Sequence, residues 1–205
     1  MFTGIITHIG IVQNLIYSSN QDLLITLNLP NQTNRNLEIG CSIACNGVCL
    51  TLVKQVVSRE SLVVSLEFQA SLETLSKTNI KHWQIGDKIN LEFALRMGDE
   101  LGGHLVAGHI DDVVLIKKIK PINNDSWQFI IELPQNLKKF IAPKGSVVLN
   151  GVSLTVNEVS ADSFSVNIIK HTFDHTNFSE LKVDDFINLE VDLIARYLEK
   201  LTTHN

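Results

Sequence analysis

Basic residues are in the minority in this 205-residue chain: 17 Lys and Arg stand against 22 Asp and Glu, a formal charge of −5. A nucleic-acid binder needs a basic footprint, so the balance argues against that class. No apolar run approaches the ~18 residues of a membrane span. The first basic residue is Arg35, so the N-terminus lacks the basic region of a secretory signal. A soluble, cytoplasmic protein with neither a nucleic-acid nor a membrane partner is expected. Cysteine is scarce as well. Cys41, Cys45 and Cys49 are the three present, whereas a disulfide scaffold would be richer and more dispersed. Their spacing fits no zinc motif. On a single strand it would put all three on one face, with Cys41 and Cys45 as small apolar core residues. What is plentiful is apolar: 44% of the chain is hydrophobic and 19% charged, enough to bury a core.

The chain is a duplication, the feature to look for first because it governs the fold. Asn46-Gly47-Val48-Cys49-Leu50-Thr51-Leu52 returns as Asn150-Gly151-Val152-Ser153-Leu154-Thr155-Val156. At the same offset Leu29-Pro30 falls on Leu133-Pro134, and Gly4 on Gly108. Later in each half, Thr78-Asn79 matches Thr176-Asn177, and Ile89-Asn90-Leu91-Glu92 matches Ile187-Asn188-Leu189-Glu190, at an offset about six residues shorter. Those residues are missing from the second half between Thr51 and Thr78 or their counterparts.

Each half reads as β. Ile89, Leu91 and Phe93 alternate with Asn90 and Glu92, and Phe164, Val166 and Ile168 with Ser165 and Asn167. Turn signals at Gly86-Asp87, Asn123-Asn124-Asp125 and Pro143-Lys144-Gly145 separate such runs. Short strands in units of about 100 residues predict small closed barrels, which leave no sheet edge. A short helix is expected from Pro134 to Ile141, and residues 97–104 read as the junction. Leu193, Ile194, Tyr197, Leu198 and Leu201 recur at helical spacing in the tail, which nothing in the first half matches.

Met1-Phe2-Thr3-Gly4-Ile5, Asn46-Gly47-Val48-Cys49-Leu50-Thr51, Gly102-Gly103-His104-Leu105-Val106-Ala107-Gly108-His109 and Gly151-Val152-Ser153-Leu154-Thr155, in that order, resemble the riboflavin synthase family of the α-chain type. The resemblance spans essentially the whole chain. It implies an all-β fold of two tandem homologous six-stranded Greek-key barrels plus a C-terminal amphipathic helix, assembled as a homotrimer. Residues 1–104 and 105–190 would be the lumazine-binding barrels, and residues 191–205 a trimerisation helix. It also implies dismutation of two molecules of 6,7-dimethyl-8-ribityllumazine into riboflavin and 5-amino-6-(D-ribitylamino)uracil, by transfer of a four-carbon unit. No cofactor and no metal are expected, because such a reaction balances its own electrons. In the family the site pairs the first barrel of one subunit with the second barrel of a neighbour.

Carried onto this sequence, the resemblance makes Cys49, His109, Ser153, Lys144 and Asp192 the catalytic candidates. Around the first motif the substrate-binding set is Gly4, Ile5, Ile6, Cys49, Leu50, Thr51, Glu67, Phe68, Glu73 and Thr74. Gly108, His109, Ile110, Lys144, Ser153, Leu154, Thr155, Ile168, Ile169, Lys170, His171, Thr172 and Phe173 complete it. By residue type alone Cys49 is a third core cysteine, His109 a surface histidine, Lys144 a solvated turn lysine and Ser153 a strand serine. The halves differ where chemistry would differ. Cys49 faces Ser153 in the alignment, His109 faces Ile5, Lys144 lies close to Gly40 and Asp192 answers Ala94. Histidine suits deprotonation of the lumazine 7-methyl group near neutral pH. Asn150 stands where the family usually has Asp; it loses the charge and is expected to keep a role in orienting Ser153. His171 and His175 would suit zinc only on a helix, and are expected in a loop. A lumazine-binding carrier would share the duplicated fold without the catalytic side chains. A flavin-binding domain of a reductase would need a nicotinamide domain, for which the chain has no room.

Overall fold

The computed structural model describes residues 1–30, 35, 37–57 and 63–203. Alternate residues of each strand turn inward. In β2 (Leu23–Leu29) Leu23, Ile25, Leu27 and Leu29 are buried and the intervening Leu24, Thr26 and Asn28 half-buried. With β1 (His8–Tyr17), β3 (Ser42–Cys45), β4 (Val48–Val57), β5 (Val64–Ala70) and β6 (Lys88–Phe93), it closes an antiparallel barrel in the order β1-β2-β5-β4-β3-β6. The order is a Greek key: β3, β4 and β5 run as consecutive neighbours, and β2 lies beside β5. The second barrel repeats it with β7 (Asp112–Asn123), β8 (Ser126–Glu132), β9 (Ser146–Leu149), β10 (Val152–Val159), β11 (Ser163–Ile169) and β12 (Phe186–Val191). Each barrel has its own apolar core, centred on residues such as Ile25, Leu52 and Phe68 in the first and Phe129, Val166 and Phe178 in the second.

The missing residues come from one hairpin. Leu52 on β4 pairs with Phe68 on β5, and Val156 on β10 pairs with Val166 on β11, so the second connection is the shorter. The cysteines do not share a strand. Asn46 (φ 46°) and Gly47 (φ 81°) make a tight turn between β3 and β4, leaving Cys41 before β3, Cys45 buried at its end and Cys49 on β4. An Asn-Gly pair between apolar residues is a strong hairpin signal, and it overrides the even spacing. Between Pro134 and Ile141 the chain forms only a 3-10 turn at Lys138–Phe140. The duplication instead places a short helix after β5 and another after β11: α1 (Leu72–Lys77) and α2 (Lys170–His175). Ser71 caps α1 by accepting from Thr74 N, and the Thr78 and Thr176 hydroxyls cap the turns that follow. His171 and His175 therefore sit on a helix, with rings 4.2 Å apart, and no third His, Cys, Asp or Glu joins them among the described residues.

The tail forms α3 (Leu193–Thr202), capped by Asp192 Oδ1, which accepts from Ile194 N at 2.8 Å. Arg196 to Asp111 (2.5 Å) and Lys139 to Glu199 (2.7 Å) hold it to the second barrel. Ile194, Tyr197, Leu198 and Leu201 are each more than half exposed.

The barrels meet through six buried asparagines arranged about a local two-fold axis. Asn90 Nδ2 donates to Asn150 O and Asn177 Oδ1, both at 2.9 Å; its counterpart Asn188 Nδ2 donates to Asn46 O and Asn79 Oδ1, also at 2.9 Å. Backbone N–H groups of Asn177 and Asn79 donate to Asn90 Oδ1 and Asn188 Oδ1 at 2.7 Å. At the axis Gly47 and Gly151 abut so closely that a Cβ on either would lie 2.8 Å from the other's nitrogen. Asn90→Ala strips partners from several buried groups at once, so it is expected to cost ~2–4 kcal/mol, read as a lower denaturant midpoint. The symmetry predicts a matching loss for Asn188→Ala.

Candidate functional site

Each half sends a short segment across to the other barrel. Ser153 N on β10 donates to Gly4 O at 2.8 Å, and Cys49 N on β4 donates to Gly108 O at 2.9 Å. Only glycine fits there: a Cβ on Gly4 would stand 2.5 Å from Ser153 Cβ, one on Gly108 2.7 Å from Cys49 Cβ, and both have φ near +80°. Ile6 follows the first crossing and packs on the second barrel's core; Ile110 follows the second and packs on the first barrel's core. Phe2 and Val106 pair through their backbones at the centre of this exchange.

Two clusters result, each drawing on both halves. At the first barrel Cys49, Leu50 and Thr51 on β4 meet the Gly108-His109-Ile110 segment, with Cys49 half-buried and His109 exposed. Phe68 and Glu67 follow on the neighbouring β5, and Glu73 and Thr74 on α1. Glu67 is ion-paired to Lys54 at 2.8 Å. At the second barrel Ser153, Leu154 and Thr155 meet Gly4, Ile5 and Ile6, with Ile168 and Ile169 on β11 and Lys170, His171, Thr172 and Phe173 on α2. Leu50, Phe68, Leu154 and Ile168 are core residues, so backbone groups are what they can offer a ligand. Phe173 stacks on Trp127, ring centroids 3.9 Å apart, and Lys170 pairs with Asp174. Lys144 is the structural counterpart of Gly40. Both adopt positive φ (69° and 92°), and their N–H groups donate to Val156 O and Leu52 O. A groove of about 740 Å3 between the barrels, lined by Asn79, His82, Trp83, Lys88, Glu180 and Phe186 among others, contains none of these candidates.

Three residues of the clusters were not among those expected from the sequence. His104, in the stretch read as a junction, lies 2.7 Å by Nδ1 from Ser153 Oγ, while its Nε2 is buried without a hydrogen-bond partner among the described residues. Burial holds His104 below the ordinary histidine value, opposed by the nearby Asp192 carboxylate. The other two are the acids that end the Ile-Asn-Leu-Glu repeats. Glu92 accepts from Thr3 N (2.6 Å), Thr3 Oγ1 (2.8 Å) and Gly4 N (2.9 Å); Glu190 accepts from Ala107 N (2.7 Å) and Gly108 N (3.0 Å). The repetition of these acids was visible; which segment each would hold was not. Asn150 does not orient Ser153. Its Oδ1 accepts from Asn188 N and Asn79 Nδ2, inside the inter-barrel network. Gly4 and His104 hold Ser153 instead.

Residues 3–94 and 107–192 match the lumazine binding domain family, once per half and with the two crossing segments at corresponding starts. The riboflavin synthase of Brucella abortus (strain 2308) is 43% identical over 204 residues, covering 100% of this chain and 99% of that protein. The riboflavin synthase of Photobacterium leiognathi is 40% identical over 201 residues, covering 98% and 88%. That of Mycobacterium tuberculosis (strain CDC 1551 / Oshkosh) is 35% identical over 210 residues, covering 98% and 98%. Among solved structures, LumP complexed with 6,7-dimethyl-8-(1'-D-ribityl) lumazine shares the fold, with a TM-score of 0.80 at 24% identity over 93% of this chain and 99% of that one.

Proposed function

The chain belongs to the riboflavin synthase family and carries the lumazine-binding domain twice, and from this we infer that it is a transferase of that family. It converts two molecules of 6,7-dimethyl-8-ribityllumazine into riboflavin and 5-amino-6-(D-ribitylamino)uracil, passing a four-carbon unit from one to the other. The observation that carries the chemistry is a pair of sites built alike and equipped differently. Cys49 stands beside the His109 segment, whereas Ser153 is bonded to His104. Two copies of one substrate need two related sites, and holding reactants in register is worth ~7–11 kcal/mol of barrier. Riboflavin appearing when the lumazine is added tests this reading; a carrier would bind the lumazine and form none.

We assign the lumazine-binding units to residues 1–104 and 105–190, each completed by the segment that crosses from the other. In the second, His104 takes the Ser153 proton and Asp192 steadies the charge that forms, so that the hydroxyl can attack ring carbon 7. In the first, His109 removes a proton from the 7-methyl group, with the Cys49 thiol beside it. Lys144 contacts bound ligand from its turn. Both products come from one substrate, so the reading calls for no cofactor.

A homotrimer with one chain's first barrel facing a neighbour's second fits the apolar stripe of α3. Full burial of such side chains is worth ~1.5–3 kcal/mol each. Removing residues 193–205 is expected to lower the sedimenting mass while the barrels stay folded; an unchanged oligomer would count against this role. No helix of the described residues is long and apolar enough to cross a membrane. Three free cysteines fit a reducing compartment such as the cytoplasm.

A further inference from the structure

The acids that close the two barrels are buried, yet neither is ion-paired among the described residues. Glu92 and Glu190 are 4% and 3% exposed, and each spends both carboxylate oxygens on the backbone of its own half's crossing segment. Buried carboxylates are costly, and two N–H donors apiece compensate only in part. Burial pushes the Glu190 carboxyl up to about 7, with Asp111 adding to it and the backbone N–H groups opposing, and burial raises Glu92 as well. Leucine would fill such positions at lower cost, so the acids call for a role beyond packing.

What they hold supplies it. Glu92 ends the first barrel, but the Thr3-Gly4 peptide it grips serves the second: Gly4 O accepts from Ser153 N, and Thr3 O accepts from His104 N. Glu190 ends the second barrel, and the Ala107-Gly108 peptide it grips serves the first. Gly108 O accepts from Cys49 N, and His109 is the next residue along.

We propose that Glu92 and Glu190 are crossed positioning residues, each setting the geometry of the reactive side chains on the opposite barrel. Neither acid touches the reacting groups. The inference rests on the proposed function for its catalytic meaning, but the geometry can be tested in the free protein.

Glutamine is the probe. It keeps one accepting oxygen and puts an NH2 against the second backbone N–H, so one clamp bond is lost in an isosteric side chain. The readouts are the ring signals of His104 and His109, assigned with His104→Gln and His109→Gln, and the alkylation rate of Cys49 in a Cys41→Ser background. Glu190→Gln is expected to change Cys49 alkylation about fivefold, the worth of one hydrogen bond, and to shift the His109 signals while leaving those of His104 in place. Glu92→Gln is expected to shift the His104 signals and leave Cys49 alkylation unchanged. With lumazine as substrate, both variants should lower kcat more than they change KM. If Glu92→Gln does not fold, Thr3→Val removes the hydroxyl bond to Glu92, together with the one that hydroxyl accepts from Ile5 N, and should move the same His104 signals. Effects confined to each acid's own barrel, or spread equally over both, would overturn the proposal. A chain that forms no riboflavin yet shows the crossed pattern would overturn the functional reading alone.

Discussion

Replacing His104 with glutamine is expected to cut riboflavin formation by ~10²–10⁴-fold, the usual worth of a general base. His104 Nδ1 is 2.7 Å from Ser153 Oγ, and no other side chain is bonded to that hydroxyl among the described residues. Glutamine can keep the hydrogen bond but cannot take the proton away. Ser153→Ala should cost about as much, and the double variant little more than either, because the two act as a unit. The pH dependence has a definite sign. Burial lowers the His104 value, so the imidazole stays neutral through pH 7 and can act as base there. The rate should fall on the acid side, below the ordinary histidine value near 6.5, as His104 takes up a proton. Stability follows the same direction: the unfolded chain protonates this histidine first, so the fold loses stability as pH falls through that range. His104→Gln should remove that share of the acid sensitivity. Initial rates followed by riboflavin absorbance decide the matter, and near-wild-type turnover would take His104 out of the chemistry.

His104 shows why part of the site stayed illegible in the sequence. Comparing the halves exposed every position with a counterpart, and Gly4 with Gly108, Cys49 with Ser153 and Lys144 with Gly40 all play matching structural parts. His104 lies where the first half has no chain left to align, so it read as junction. Glu92, Glu190 and the asparagines were visible as repeats. Their partners were not, because the bonds join residues as distant as Asn46 and Asn188 and follow the spatial symmetry rather than the sequence. Barrels and the terminal helix followed from alternation and helical spacing, which are local, and the tandem order from the repeated motifs. The errors were local contests as well. The Asn46-Gly47 turn outweighed even cysteine spacing, and six residues after a β-branched pair sufficed for the helix under His171 and His175.

The same symmetry predicts that residues 1–104 alone form a two-chain particle. Every asparagine bond between the barrels has a counterpart, so each barrel presents donors and acceptors complementary to a copy of itself. A second copy of the first barrel would offer Asn46 O where the native chain offers Asn150 O. The Thr3-Gly4 segment stays gripped by Glu92, since both belong to the fragment. In the dimer Gly4 O of one copy would accept from Cys49 N of the other, as it accepts here from Ser153 N. A lone barrel would instead give up the bonds that Asn79, Asn90 and the Cys49 N–H make across the interface, at ~0.5–1.5 kcal/mol each. The fragment should therefore sediment as two chains, perturb lumazine fluorescence at two identical sites and form no riboflavin, because Ser153 and His109 are absent. Asn90→Ala in the fragment should drive it to single chains or unfold it. A folded fragment that stays monomeric at tens of micromolar, where dimers worth ~7 kcal/mol would already be populated, would refute the prediction.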